Sequence, residues 1–241
     1  MTKEVRQETD PVTGLIVEER HLLNGRFHRD ASEGPAYIKR DRKSRVVVRE
    51  VYYFEGRRHR EGGPAEIRRN SVSGVAVEEL YCLHGRKHRE DGPAIIHRDL
   101  FGNLLHELWC LKGYSQRDST QGPTLRRIDP DTGVVFDEVY REKIEGRRTE
   151  RAHLHRIGGP ANIDRDRKTG VAVNESYYVS GELHRPRHEG PAVIERDPKT
   201  GEIIKQEFFE NGVKIEMPVP GRPATPAGST RSPGSDGPSK A

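Results

Sequence analysis

The sequence predicts an all-β fold, an elongated antiparallel meander of about seven tandem hairpin repeats forming a single-layer twisted sheet or open solenoid. Three observations carry this. Gly-Pro-Ala recurs at 34–36, 63–65, 92–94, 159–161 and 190–192, with Gly122-Pro123-Thr124 as a degenerate copy, so the glycines lie 29, 29, 30, 37 and 31 residues apart. Aligned positions between these tripeptides repeat their residue type at spacings of two, the period of a strand. No stretch has the 3.6-residue periodicity of an amphipathic helix.

Residues 1–9 read as an N-terminal extension, 10–216 as the repeat domain and 217–241 as a disordered tail, in which 14 of 25 residues are Pro, Gly or Ser. Within the repeats, Asp10-Pro-Val-Thr-Gly14, Asp129-Pro-Asp-Thr-Gly133 and Asp197-Pro-Lys-Thr-Gly201 suit a type I turn closed by a left-handed Gly. A strand of eight or nine residues follows, such as Val46–Phe54. A second tight turn then falls at Gly25, Gly56, Gly85, Gly113, Gly146, Gly181 and Gly212. The Pro of Gly-Pro-Ala stands where a return strand begins without needing its missing N–H. The fifth copy is longer, with extra residues around Tyr140–Gly146 and Arg147–His155. The seventh copy stops before its own Gly-Pro-Ala.

Composition excludes several classes. Only 32% of residues are hydrophobic and 33% are charged, too little apolar material for a thick two-sided core. The longest apolar runs, such as Val46–Val48, fall far short of a membrane span, and the first ten residues hold no apolar stretch of a secretory signal. The expected location is cytoplasmic. Cys82 and Cys110 rule out a disulfide framework or a cysteine-built zinc site, and they read as small hydrophobes. The net charge is +4, of which the tail supplies +2. Arg-rich stretches such as Arg57–Arg60 have acids close by, so nucleic acid is disfavoured as a partner.

Three columns share one strand face: an apolar one at Val17 and Val48, an acidic one two residues on, and an aromatic one two further. The acidic residues Glu19, Glu50, Glu79, Glu138 and Glu175, the histidines His28, His59, His88, His155 and His184, and the arginines Arg40, Arg69, Arg98, Arg165 and Arg196 are expected to satisfy one another within each copy. A metal or catalytic role is disfavoured. Neighbouring copies lie about 10 Å apart, and a catalytic group would occur once, not in every copy. No catalytic residue, metal or cofactor is expected. The aromatic column, Tyr52, Tyr81, Trp109, Tyr140 and Tyr177, reads either as packing or as a partner-binding stripe, since such residues dominate interface hot spots.

The segments Tyr53-Phe-Glu-Gly56-Arg-Arg-His59 and Tyr81-Cys-Leu-His-Gly85-Arg-Lys-His88 resemble the MORN (membrane occupation and recognition nexus) repeat, an aromatic–turn–histidine β-hairpin. The period near 30 is longer than that family's, and each His is followed by Arg rather than Gly. The resemblance implies an elongated sheet used for binding or scaffolding, and it does not imply catalysis. The expected function is therefore a protein-interaction module that binds a protein partner along one face, with a homodimer through end strands also in view. The alternative is weak binding of an anionic surface, nucleic acid or membrane, through Arg-rich loops and the basic tail. The array is expected to span on the order of 70–90 Å.

Overall fold

A computed structural model describes residues 1–146 and 151–216. It is the predicted meander: fifteen strands follow one another in chain order through one antiparallel sheet. Each copy supplies a long strand, such as Val47–Val51 or Ala76–Leu80, and a return strand, such as Glu66–Arg69 or Ile95–Arg98. Beyond each long strand a short hairpin tip projects, for example Tyr53–Phe54 paired with Arg57–Arg58. Each copy adds two strand spacings, about 10 Å, so fourteen main strands make a contour of about 60 Å, shorter than the sequence suggests.

Residues 1–9 are more than an extension. Lys3–Thr9 forms a strand on the first long strand, pairing from Lys3↔Leu23 to Thr9↔Ile16. At the other end, the proposed tail 217–241 lies outside the described residues, as does the 147–150 part of the fifth-copy insertion.

The Asp loops fold as their chemistry requires. The Oδ1 atoms of Asp10, Asp41, Asp129, Asp166 and Asp197 accept the N–H groups of the second and third residues that follow. These backbone donors hold each carboxyl below its ordinary range. The loop ends in a left-handed residue, usually Gly with φ near 72–74° as at Gly14, Gly133 and Gly201, but Arg45 in the second loop. A β-bulge falls before the last residue of every return strand, between Lys39 and Arg40 or Arg68 and Arg69 for instance.

The core is thin and linear. The Ala of each Gly-Pro-Ala is completely buried, as is Thr124 in the degenerate copy. Its carbonyl accepts the N–H of the aromatic-column residue, as in Tyr52 N to Ala65 O at 2.7 Å and Tyr140 N to Ala161 O at 2.8 Å. Val51, Leu80, Cys82, Ile95 and Cys110 are also buried, and Ala65 packs with Leu80, Cys82 and Ile95. Among the described residues, no helix is long and apolar enough to cross a membrane.

Candidate functional site

Two faces with different rules divide the sheet. On the first face, every copy repeats one arrangement, and it explains the whole His-Arg…Gly-Pro-Ala signature. The Arg that follows the His, or Gln116 in the fourth copy, sits over the aromatic ring of its own copy. Arg60 sits 3.9 Å above Tyr52, Arg89 4.1 Å above Tyr81, Arg117 3.8 Å above Trp109, Arg156 4.0 Å above Tyr140 and Arg185 4.1 Å above Tyr177. The same guanidinium donates to the Pro carbonyl, at 3.1–3.4 Å across these copies. Gly lets the backbone pass beside it. A Cβ at Gly92 would stand 2.5 Å from Arg89 Cζ, and one at Gly122 2.8 Å from Arg117 Nη1. Gly, Pro and Ala thus admit, bind and bury in turn.

Each ring of the aromatic column carries an arginine on one side; Tyr52 and Tyr140 are buried beneath it, while Tyr81, Trp109 and Tyr177 are half-buried. In the first copy His21 replaces the ring, and its Nε2 lies 3.0 Å from Arg29 Nη1 and 2.6 Å from Glu19 Oε1.

The acidic and arginine columns meet as expected. Arg69 pairs with Glu50 at 2.6 Å, Arg98 with Glu79 at 2.7 Å, Arg165 with Glu138 at 2.6 Å and Arg196 with Glu175 at 2.5 Å. Glu107 was missed by the column of arginines because the fourth return strand exchanges two residues. Arg126 stands where the other copies have Ile38, Ile67 or Ile96, Ile128 stands where they have Arg, and Arg126 reaches Glu107 at 2.6 Å. Glu19 is bonded by His21, which leaves Arg40 Nη1 buried without a hydrogen bond.

The histidine column does not join this network. The Nδ1 atoms of His28, His59, His88, His155 and His184 accept the backbone N–H of Glu55, His84, Lys112, Ser180 and Asn211 in the next copy, at 3.0–3.1 Å. All five donors are left-handed residues just before the turn glycine. The histidines therefore pin tip to tip rather than neutralise charge.

The second face does not repeat. Its central row runs Lys39, Arg49, Arg68, Glu78, His97, His106, Arg127, Asp137 and Asp164, cross-strand neighbours in that order. Glu66, in the adjacent row, is 1% exposed and lies 2.9 Å from Arg49, 2.9 Å from Arg58 and 3.0 Å from Arg68. Arg58, one of the arginines of the basic stretch 57–60, is thus already engaged. His97 and His106 stack edge-on with ring centroids 5.1 Å apart. Burial, then His97 and Arg127, pushes His106 down to about 4. Burial raises Asp137 despite its 3.1 Å pair with Arg127.

The departures from the repeat converge at one place, the junction of the fourth and fifth copies. Gln116 replaces the tip-pinning His, so the fifth tip has no ring nitrogen to receive it. Gly56, Gly85, Gly113, Gly181 and Gly212 each donate an N–H to the preceding tip, whereas among the described contacts Gly146 does not. Ser115 occupies the tip position held elsewhere by Phe27, Arg58, Lys87, Leu154 and Leu183. Beside this small side chain lies a hollow of about 160 Å³, lined by Leu108, Ser115, Thr124, Leu125, Val139 and Arg141. His106, Arg127 and Asp137 flank it in the central row. The signal for this site was present in the tip column as its one small residue.

Both cysteines are buried and unbonded, and burial raises their thiols, Cys110 to about 11. No group of three or more metal-ligating side chains occurs among the described residues.

Comparison with family models, with curated proteins and with solved structures finds no match. Its own geometry is what this chain offers.

The central row makes acid stability measurable at this site. His106 is neutral in the folded state and ordinary when unfolded, so folding stability falls as pH drops through about 6.5 and the loss levels off below about 4. The expected loss is on the order of 3 kcal/mol. Urea titrations between pH 7 and 4 should show a flatter profile for His106→Gln than for the natural chain. Equal slopes would assign the acid response elsewhere.

Proposed function

We propose that this protein is a non-enzymatic interaction module, a MORN-like β array that binds a partner protein at the hollow between its fourth and fifth copies. The observation that carries the reading is the coincidence of departures. Gln116, Ser115, Thr124, the Arg126/Ile128 exchange and the lengthened fifth tip fall together at one junction of the array. Positions that break a structural rule together, at a cost in regularity, mark a site under a different demand.

The hollow suits one anchoring side chain. About 160 Å³ with an aliphatic lining accepts a leucine-sized group from an extended segment, and Arg141 beside it favours an acidic neighbour on that segment. The repeating face supplies the rigid backing. Its arginines are committed to rings and Pro carbonyls, which argues against a general anion-binding role.

Ser115→Phe tests the reading, because it places in the hollow the ring that Phe27 supplies in the first copy. The variant should fold with unchanged or higher thermal stability. A partner captured by the natural chain, and shown to bind it directly in purified form, should bind the variant at least tenfold more weakly. Equal binding by both would remove the hollow as the docking site.

A further inference from the structure

Among the described residues the sheet has two edges without a partner strand, and they match each other. In every internal copy a long strand is followed by a return strand in fixed register: Arg49↔Arg68, Glu50↔Ile67 and Val51↔Glu66, for example. Among the described residues, the seventh long strand, Ile203–Glu210, has no return strand. Its tip is closed by Val213–Ile215 on Phe208–Glu210, but the edge from Ile203 to Glu207 carries none. Ile203 and Ile204 on it are 48% and 67% exposed.

The first strand, Lys3–Thr9, has the form of a return strand, and among the described residues no strand pairs with its outer edge. It pairs forward as Arg6↔Arg20, Gln7↔Glu19, Glu8↔Glu18, bulge, Thr9↔Ile16. The internal return strand Tyr37–Arg40 pairs forward as Tyr37↔Val51, Ile38↔Glu50, Lys39↔Arg49, bulge, Arg40↔Val47. Residues 6–9 therefore occupy the places of residues 37–40, and Asp10 follows as Asp41 does.

We infer that the protein associates head to tail with a second copy of itself, whose Arg6–Thr9 becomes the missing return strand of Ile203–Glu210. The internal register then sets the contacts. Glu207 faces Arg6 of the second copy, Gln206 faces its Gln7, and Lys205 faces its Glu8. Both charged pairs are of opposite sign, which stabilises directly opposed strand residues. Within one chain the same side chains face like charge, Arg6 against Arg20 and Glu8 against Glu18. Arg6 accordingly turns along its strand to Glu4, and Glu8 to Arg42. The seventh long strand offers each a directly opposed opposite charge, in exchange for the present contacts of Lys205 with Glu195 and of Glu207 with Lys214, both at 2.7 Å. Phe208 N–H would also find the carbonyl of Val5, as Tyr52 N–H finds that of Ala65.

One contact sets a threshold for joining. Thr2 and Asn24 exchange two hydrogen bonds, the Thr2 N–H donating to Asn24 Oδ1 at 2.9 Å and the Asn24 N–H to the Thr2 carbonyl at 2.9 Å. This places residues 2–4 where the tip of a preceding copy would lie, so they must yield to Val213–Ile215 of the neighbour. Association is therefore concentration-dependent rather than obligate. Because the two patches are different surfaces, the contact is heterologous, and it propagates into a ring or filament instead of stopping at a pair.

Sedimentation velocity over a concentration series at low salt tests this, with charge reversals at the seam. The natural chain should form a growing series of species. Lys205→Glu and Glu8→Lys should each lower the association constant at least tenfold, and an equimolar mixture of the two should restore it, since each supplies the other's complement. Glu8→Lys gives up the Arg42 contact and gains an opposite charge in Glu18, and a thermal melt by circular dichroism checks that both variants fold like the natural chain. A natural chain that stays monomeric into the high micromolar range overturns the proposal. So does a discrete dimer that does not grow, or association unaffected by either reversal.

Discussion

Replacing Glu66 with alanine should lower the unfolding free energy by about 3 kcal/mol, the usual consequence of breaking a buried charged cluster from one side. Three guanidinium groups, those of Arg49, Arg58 and Arg68, converge within 3.0 Å of a carboxylate that is 1% exposed. Without it they repel one another beside Val51 and Leu80, the cross-strand neighbours of Glu66. Since the arginines are partly open to water they relax outward, which keeps the loss below that of a fully enclosed cluster. The sharper expectation concerns Glu66→Ile. Other copies have Ile95 or Leu125 at this position, so an apolar residue of similar size should recover much of the loss despite removing all three ion pairs. Chemical denaturation of both variants decides it. If Glu66→Ile is as unstable as Glu66→Ala, the arginines need their counter-charge more than the row needs packing.

Tyr140→Ala should cost about 3–4 kcal/mol, within the range for truncating a buried aromatic residue. Tyr140 is 5% exposed, lies under Arg156 and packs with Ala161 and Ile163. Removing the ring strips one face of the guanidinium that also holds the Pro160 carbonyl, so the plate and its loop are lost together. Tyr140→Phe keeps the plate and should change stability by less than about 0.5 kcal/mol. This pair separates the two sequence readings of the aromatic column. A binding stripe would lose partner affinity in Tyr140→Ala at unchanged stability, whereas a packing plate loses stability first.

Much of this was legible in the sequence. The meander follows from columns that repeat Val, Glu and Tyr at spacings of two, because a residue type fixed at the same place in successive copies must meet the same environment each time. The Glu–Arg pairing could be read in the same way. The role of the histidines could not. Their partners are the backbone N–H groups of Glu55, His84, Lys112, Ser180 and Asn211, residues that share a left-handed backbone and nothing in their side chains. A column of unlike residues hides a common conformation. The hollow was hidden for the opposite reason. It is made by what Ser115 lacks, and a search for recurring residues passes over a missing bulk. The Arg126/Ile128 exchange escaped notice because it keeps composition constant while moving each side chain two places.

The strict chain-order pairing of the sheet has a mechanical consequence. A pull applied between the first and last strands acts across the strands, so it loads one inter-strand ladder at a time instead of shearing many together. Each copy that opens replaces about 10 Å of sheet with about 100 Å of extended chain, given roughly 30 residues at about 3.4 Å each. The molecule should behave as a low-force extensible tether, lengthening in steps of one repeat and re-forming copy by copy when the tension is released, because each copy needs only its neighbours to refold.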